Sequence, residues 1–195
     1  MSDHTSEMLD WQQVLGNDGA AFGRLFDRHH ERVFRHASRL VDTREDAEDI
    51  LAVAFLELWR RRKRVRLVNG SPIAWLLATT TNVALNQRRA GRRYRAFLAR
   101  LPREAAAADA ATESLQVIEI DVDPRLLAEI RRLSDEDQRL VALVALEGFS
   151  LSEAGAALGI SGAAARSRWQ RTRSRLAERM PTHADLIADT TGGDR

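Results

Sequence analysis

The chain has 195 residues, of which 44% are hydrophobic and 30% charged, and its formal net charge is +2. These proportions allow a packed core under a well-solvated surface, in one domain or two small ones, and the near-balance of charge excludes a uniformly basic polyanion binder. The sequence contains no cysteine, which excludes disulfides and thiolate metal sites, and no apolar run approaches the ~20 residues that cross a membrane.

The opening MSDHTSEMLDWQQV has neither the basic stretch nor the apolar core of a signal peptide, so a cytoplasmic protein without membrane insertion is expected. His4, His29, His30, His36 and His183 have no ligand spacing with carboxylates and read as scattered surface histidines. No metal and no cofactor are expected. Residues 1–17 are polar and are expected to be a flexible N-terminus.

From Gly19 a helical pattern begins, with Phe22, Leu25, Phe26, Val33, Phe34, Ala37, Leu40 and Val41 forming an apolar face on one bent helix or two consecutive ones. Thr43 is placed to cap the next helix, whose first turn is acidic as the helix dipole favours. That helix runs from about Arg44 to Arg62. Its apolar positions, from Ala47 and Ile50 through Phe55 to Trp59, cover a face too wide for one neighbour. The exposed remainder, with Asp46 and Asp49, suits a partner helix. Asn69-Gly70-Ser71-Pro72 is a turn, with Ser71 as N-cap and Pro72 as the first helical residue. In the helix that follows, Trp75, Thr79, Asn82 and Asn86 fall on one side at steps of four, three and four. That row runs straight into Arg88, Arg89, Arg92 and Arg93. Amides and aromatics hold unstacked bases, and arginines hold the phosphates beside them.

Residues 102–124 are Ala-rich and acidic and are expected to be a flexible linker. A second helical unit occupies 125–181: Leu126, Leu127, Ile130 and Leu133 share one face, Ser134 caps the next helix, and Gly148 ends it. Ser150 with Glu153 three residues on is a capping box, Gly159 supplies a left-handed C-terminal stop, and Ser161 can cap the helix beyond. This is a helix-turn-helix. In its second helix Ala165, Trp169, Thr172, Leu176 and Met180 recur as a buried stripe, flanked by Arg166, Gln170 and Arg173 on one side and Arg168, Arg171 and Arg175 on the other. Such a helix suits a DNA major groove, with arginines for phosphates; the other reading is a solvated basic helix in some other all-α domain. Residues 182–195 are expected to be a loose tail. The whole is an all-α fold of two small helical domains, 18–101 and 125–181.

Taken together, these segments resemble the extracytoplasmic-function (ECF) sigma factors of the sigma-70 family, in order from about Gly19 to Met180. DAEDILAVAFLELW (46–59) is similar to that family's polymerase-binding helix. WLLATTTNVALNQRR (75–89) is similar to its melting and −10-reading helix, and the segment 133–176 to the module that reads the −35 element. The resemblance implies a non-enzymatic transcription initiation factor whose partners are core RNA polymerase and promoter DNA, with an anti-sigma factor as a possible third. It implies polymerase contacts at Asp46, Asp49, Val53, Leu56 and Glu57, and −35 contacts at Arg166, Ser167, Arg168, Gln170, Arg171, Arg173 and Arg175. Trp75, Thr79, Asn82 and Asn86, with Arg88, Arg89, Arg92 and Arg93, would hold the opened −10 strand. The chain departs from the family pattern at Ala52 and Val53, at Ala154, Gly155 and Ala165, and at Ala164. A stand-alone dimeric helix-turn-helix regulator is the alternative; an enzyme finds no phosphate loop, triad or metal constellation to support it.

Overall fold

The computed structural model describes residues 2–100 and 124–179, and every regular element among them is helical. Residues 102–123 of the expected linker (102–124), the tail (182–195) and Met180 lie outside the described residues, and Pro124 opens a helix. Asp18 starts α2 (Gly19–Ser38) by accepting from the amides of Ala20 at 2.8 Å and Ala21 at 3.1 Å. It is one helix, and it buries Ala21, Leu25, Val33 and Ala37. Thr43 caps α3 (Arg44–Arg61) as expected, its hydroxyl accepting from the Asp46 amide at 3.1 Å. Phe22 and Phe26 of α2 meet Phe55 and Trp59 of α3 at ring separations of 4.8–6.2 Å, the range in which tilted aromatic pairs attract. After a 3₁₀ turn at Arg62–Arg64, the chain reverses through Asn69 and Gly70, both at positive φ. The Ser71 hydroxyl then accepts from the Ile73 amide at 3.2 Å at the head of α4 (Ile73–Leu98). Leu76, Leu77, Thr80, Thr81, Ala84 and Leu85 make α4 the central rod of the molecule.

Two expectations fail here. The N-terminus is not frayed: Ser2–Leu15 form α1, packed along α2, with Trp11 5% exposed and Val14 fully buried. Its polarity concealed this, because the contacts are largely ionic. Arg24 donates to Asp10 at 2.7 Å, His29 Nε2 lies 2.6 Å from Glu7 Oε1, and the Ser71 hydroxyl donates to the same oxygen at 2.6 Å. The histidines are also not all superficial. His29 and His36 are buried, each with a carboxylate beside it.

The C-terminal unit comprises α5 (Pro124–Ile130), α6 (Asp135–Val141), a π-turn (Ala142–Leu146), α7 (Leu151–Leu158) and α8 (Gly162–Arg179). Ser134 caps α6, and the Ser150–Glu153 capping box opens α7. The π-turn closes with the Phe149 amide on the Leu143 carbonyl at 3.0 Å, leaving Leu140 to Val144 buried in unbroken succession. This unit packs on the first: α4 lies against α6, α7 and the π-turn, and one hydrophobic cluster runs from Trp11 through Leu77 to Trp169.

Candidate nucleic-acid interface

Along α4 the row Trp75, Thr79, Asn82 and Asn86 lines one side of a cleft of about 420 Å³. Trp75, Thr79 and Asn82 are half-buried and Asn86 is exposed. None is sealed in the core. Val53, Glu57 and Arg61 of α3 complete the near wall, and Arg139, Ala157 and Leu158 of the C-terminal unit stand across from it. The cleft can therefore offer an aromatic face and amides to flat, polar groups while cations line its rim. Arg61 and Arg139 were not expected here. Arg61 carries the signal of the basic end of α3, whereas nothing local in the sequence brings Arg139 to α4.

The arginines that follow diverge. Arg89 pairs with Asp135 of α6 and donates to Asn86 at 3.3 Å, while Arg92 and Arg93 are exposed. Arg88 turns to a second cleft of about 410 Å³ shared with Arg92, Arg95 and Arg131. Burial, then the like charges of Arg131 and Arg92, lower the pKa of its guanidinium.

On α3 the candidate polymerase contacts separate into free and engaged residues. Asp49, Val53 (41% exposed) and Leu56 (45%) face outward together. Asp46 is engaged within the chain, accepting from the Thr43 hydroxyl at 2.8 Å and from the Gln87 amide. Glu57 pairs with Arg61 at 2.6 Å.

The helix-turn-helix forms as its spacing predicts. Gly159 takes φ +72°, the Ile160 amide returns to the Gly155 carbonyl at 2.9 Å, and the Ser161 hydroxyl accepts from the Ala164 amide at 3.2 Å. Ala165, Trp169, Thr172 and Leu176 are buried, and that stripe fixes the rotation of α8. Arg166, Ser167, Gln170, Arg171 and Arg175 project to solvent, with Arg173 half-buried, and none has a side-chain hydrogen bond or ion pair among the described residues. Arg168 differs: it pairs with Glu136 and lies 3.5 Å from Asp137, which turns it toward α6.

The profile of sigma-70 region 2 matches residues 25–94, the span holding most of α2, all of α3 and the α4 row. The RNA polymerase sigma factor CarQ of Myxococcus xanthus is 35% identical over 167 residues, covering 83% of this chain and 91% of that one. The chain belongs to the ECF sigma factors of the sigma-70 family. That makes it a transcription initiation factor. The ECF RNA polymerase sigma factor SigE of Mycolicibacterium smegmatis is 31% identical over 174 residues, 87% of this chain but 65% of SigE. Among solved structures, CnrH in complex with the cytosolic domain of CnrY has the same fold, with a TM-score of 0.57 at 22% identity over 90% of this sigma factor and 97% of that chain. RpoE of Bartonella quintana, solved with the anti-sigma factor NepR, has a TM-score of 0.52 at 22% identity, over 83% and 97%. Among the described residues no helix is long and apolar enough to cross a membrane.

Proposed function

We propose that this ECF sigma factor joins core RNA polymerase through the outward face of α3, holds the opened −10 strand along α4, and reads the −35 duplex with α8. The domains would be 18–101 and 125–181, with α1 added to the first. Val53 and Leu56 supply apolar contact for a partner helix, and Asp49 supplies charge beside them. The observation that carries the reading is the row Trp75–Thr79–Asn82–Asn86, kept in an accessible polar cleft while the other faces of the first half of α4, from Ile73 to Leu85, are largely buried. Unstacking a base costs a few kcal/mol, and a stacking face with amides recovers it. On α8, Arg166, Gln170, Arg171 and Arg173 would enter or flank the major groove, and Arg175 would reach phosphate. Arg168 contributes only after its pairing with Glu136 is broken. An anti-sigma partner would compete with polymerase for the α3 face.

Run-off transcription with core polymerase on a genomic promoter library tests this. Promoter-specific transcripts are expected only when the sigma factor is added. Tight unaided duplex binding by a dimer, with no such transcripts, would overturn the reading.

A further inference from the structure

Arg88, Arg92 and Arg95 of α4 enter a cleft of about 410 Å³ that shares no lining residue with the cleft of the Trp75–Asn86 row. Arg131, just after α5, joins them from the second unit. Among the described residues none of these four side chains makes a hydrogen bond or ion pair. Two carboxylates share the cleft. Asp46 is engaged by Thr43 and Gln87, while Asp42 partly offsets the charge of Arg88. Four guanidinium groups against two carboxylates leave an excess of two positive charges. Arg88 is half-buried, and burial with the like charges of Arg131 and Arg92 lowers its pKa. A cation desolvated among cations is costly, and an anion placed between them relieves that cost.

A second hollow adjoins the first. Leu40, Arg88 and Arg131 line both, and with them lies a crevice of about 70 Å³ between α4 and the π-turn. Its apolar walls are Ala84 and Leu85 on α4 and Ile130, Val141, Ala142 and Leu146 opposite. The other polar groups on its lining are spent within the chain. The Thr81 hydroxyl donates to the Leu77 carbonyl at 3.0 Å, Gln138 donates to the Leu133 carbonyl at 2.9 Å, and Arg39 pairs with Glu147 at 3.1 Å. Such a lining holds water poorly and gains dispersion contact from an apolar group. The two hollows therefore complement the two halves of one kind of molecule. Guanidinium forks match phosphate oxygens, and a phosphate monoester carries about −1.5 to −2 charge at neutral pH, which balances the excess. A phosphodiester strand would meet the arginines but has no apolar tail for the crevice.

We propose that Arg88, Arg92, Arg95 and Arg131, with the crevice beside them, form a binding site for a small phosphate monoester that carries a short apolar tail. The site is independent of how the α4 row is used. Calorimetric titration of the full chain with inorganic phosphate and with methyl, ethyl, propyl and butyl phosphate tests it. Affinity should rise about fourfold with each added methylene until the crevice is full. 1-Butanol should bind at least about a hundredfold more weakly than butyl phosphate, because it lacks the charge-assisted hydrogen bonds. Arg131→Ala, at an exposed side chain, should weaken the whole series about tenfold and keep its trend. Leu146→Phe, at a half-buried position, should fill the crevice, flatten the trend and leave inorganic phosphate unaffected. Equal affinities for all five phosphates on the wild type would overturn the proposal and leave the arginines a plain phosphate seat, such as a nucleic-acid backbone uses. Absence of binding at millimolar concentrations would overturn the site altogether. A series unchanged in both variants would place the binding elsewhere and overturn it as well.

Discussion

Gly155→Ala puts the packing of the helix-turn-helix to a quantitative test. Gly155 lies inside α7, where alanine is worth about 1 kcal/mol over glycine in a helix interior. A Cβ there would stand 3.2 Å from the Ile160 carbonyl oxygen and 3.3 Å from the Ala165 Cβ. Neither neighbour yields easily. The Ile160 carbonyl belongs to a turn fixed by the left-handed Gly159 and by the Ile160 amide bond back to Gly155, and Ala165 is fully buried on α8. Overpacking of this sort costs about 1–3 kcal/mol, so subtracting the propensity gain leaves the variant about 1 kcal/mol less stable. Thermal melts followed by circular dichroism, with amide exchange across α7 and α8 of the full chain, measure it. Adding Ala165→Gly should recover at least about 0.5 kcal/mol in a double-mutant cycle, because it removes one of the two contacts. A Gly155→Ala chain as stable as the wild type would refute the reasoning.

Asn82→Ala should slow open-complex formation about tenfold, equivalent to one lost base contact, while duplex binding is nearly unchanged; equal losses would contradict its assigned place on the opened strand. Arg171→Ala should lower the slope of log affinity against log salt for promoter duplex by about 0.9, and Arg168→Ala by clearly less; equal slopes for both would show that the pairing with Glu136 does not matter. Acid should undock α1. Burial raises the Glu7 pKa, but hydrogen bonds from His29 and Ser71, with the charges of His29 and Arg28, leave it below its ordinary value. A carboxyl depressed in the folded state stabilises docking above its unfolded value of about 4.3, and that contribution is lost as pH falls through the folded value. Amide exchange in α1 should therefore rise on acidification, and protection that persists to about pH 2 would refute it.

What was legible in the sequence was whatever periodicity and capping chemistry write locally. Thr43, Ser134, Ser150 with Glu153, and Gly159 each mark a real helix end. The Ala165–Trp169–Thr172–Leu176 stripe is buried as its spacing requires. The α4 row was legible for the same reason, since three polar residues and a tryptophan at helical steps must share a face. What stayed hidden were contacts between distant segments made by polar atoms. Trp11 and Val14 alone gave too thin an apolar signal for α1, because Glu7 and Asp10 dock by finding basic partners on α2. Nothing near Glu147 in the sequence marks it, since Arg32, His36 and Arg39, which bind it at the C-terminal end of α2, lie 108 to 115 positions away. The halves were read as separate units because nothing in either stretch names the other.

The unbroken burial from Leu140 to Val144 sets the terms on which the small unit can leave. Leu140, Leu143 and Val144 belong to the hydrophobic cluster that runs through both units, and Val141 and Ala142, with Leu146, form one side of an apolar crevice whose other side is Ala84 and Leu85 of α4. Departure strips both sides at once. The charged rim dissolves readily in water, but the greasy lining behind it does not. A detached reading head is therefore a sticky one, and whatever draws it off must lend it a new dry surface or see it seek one in a second copy.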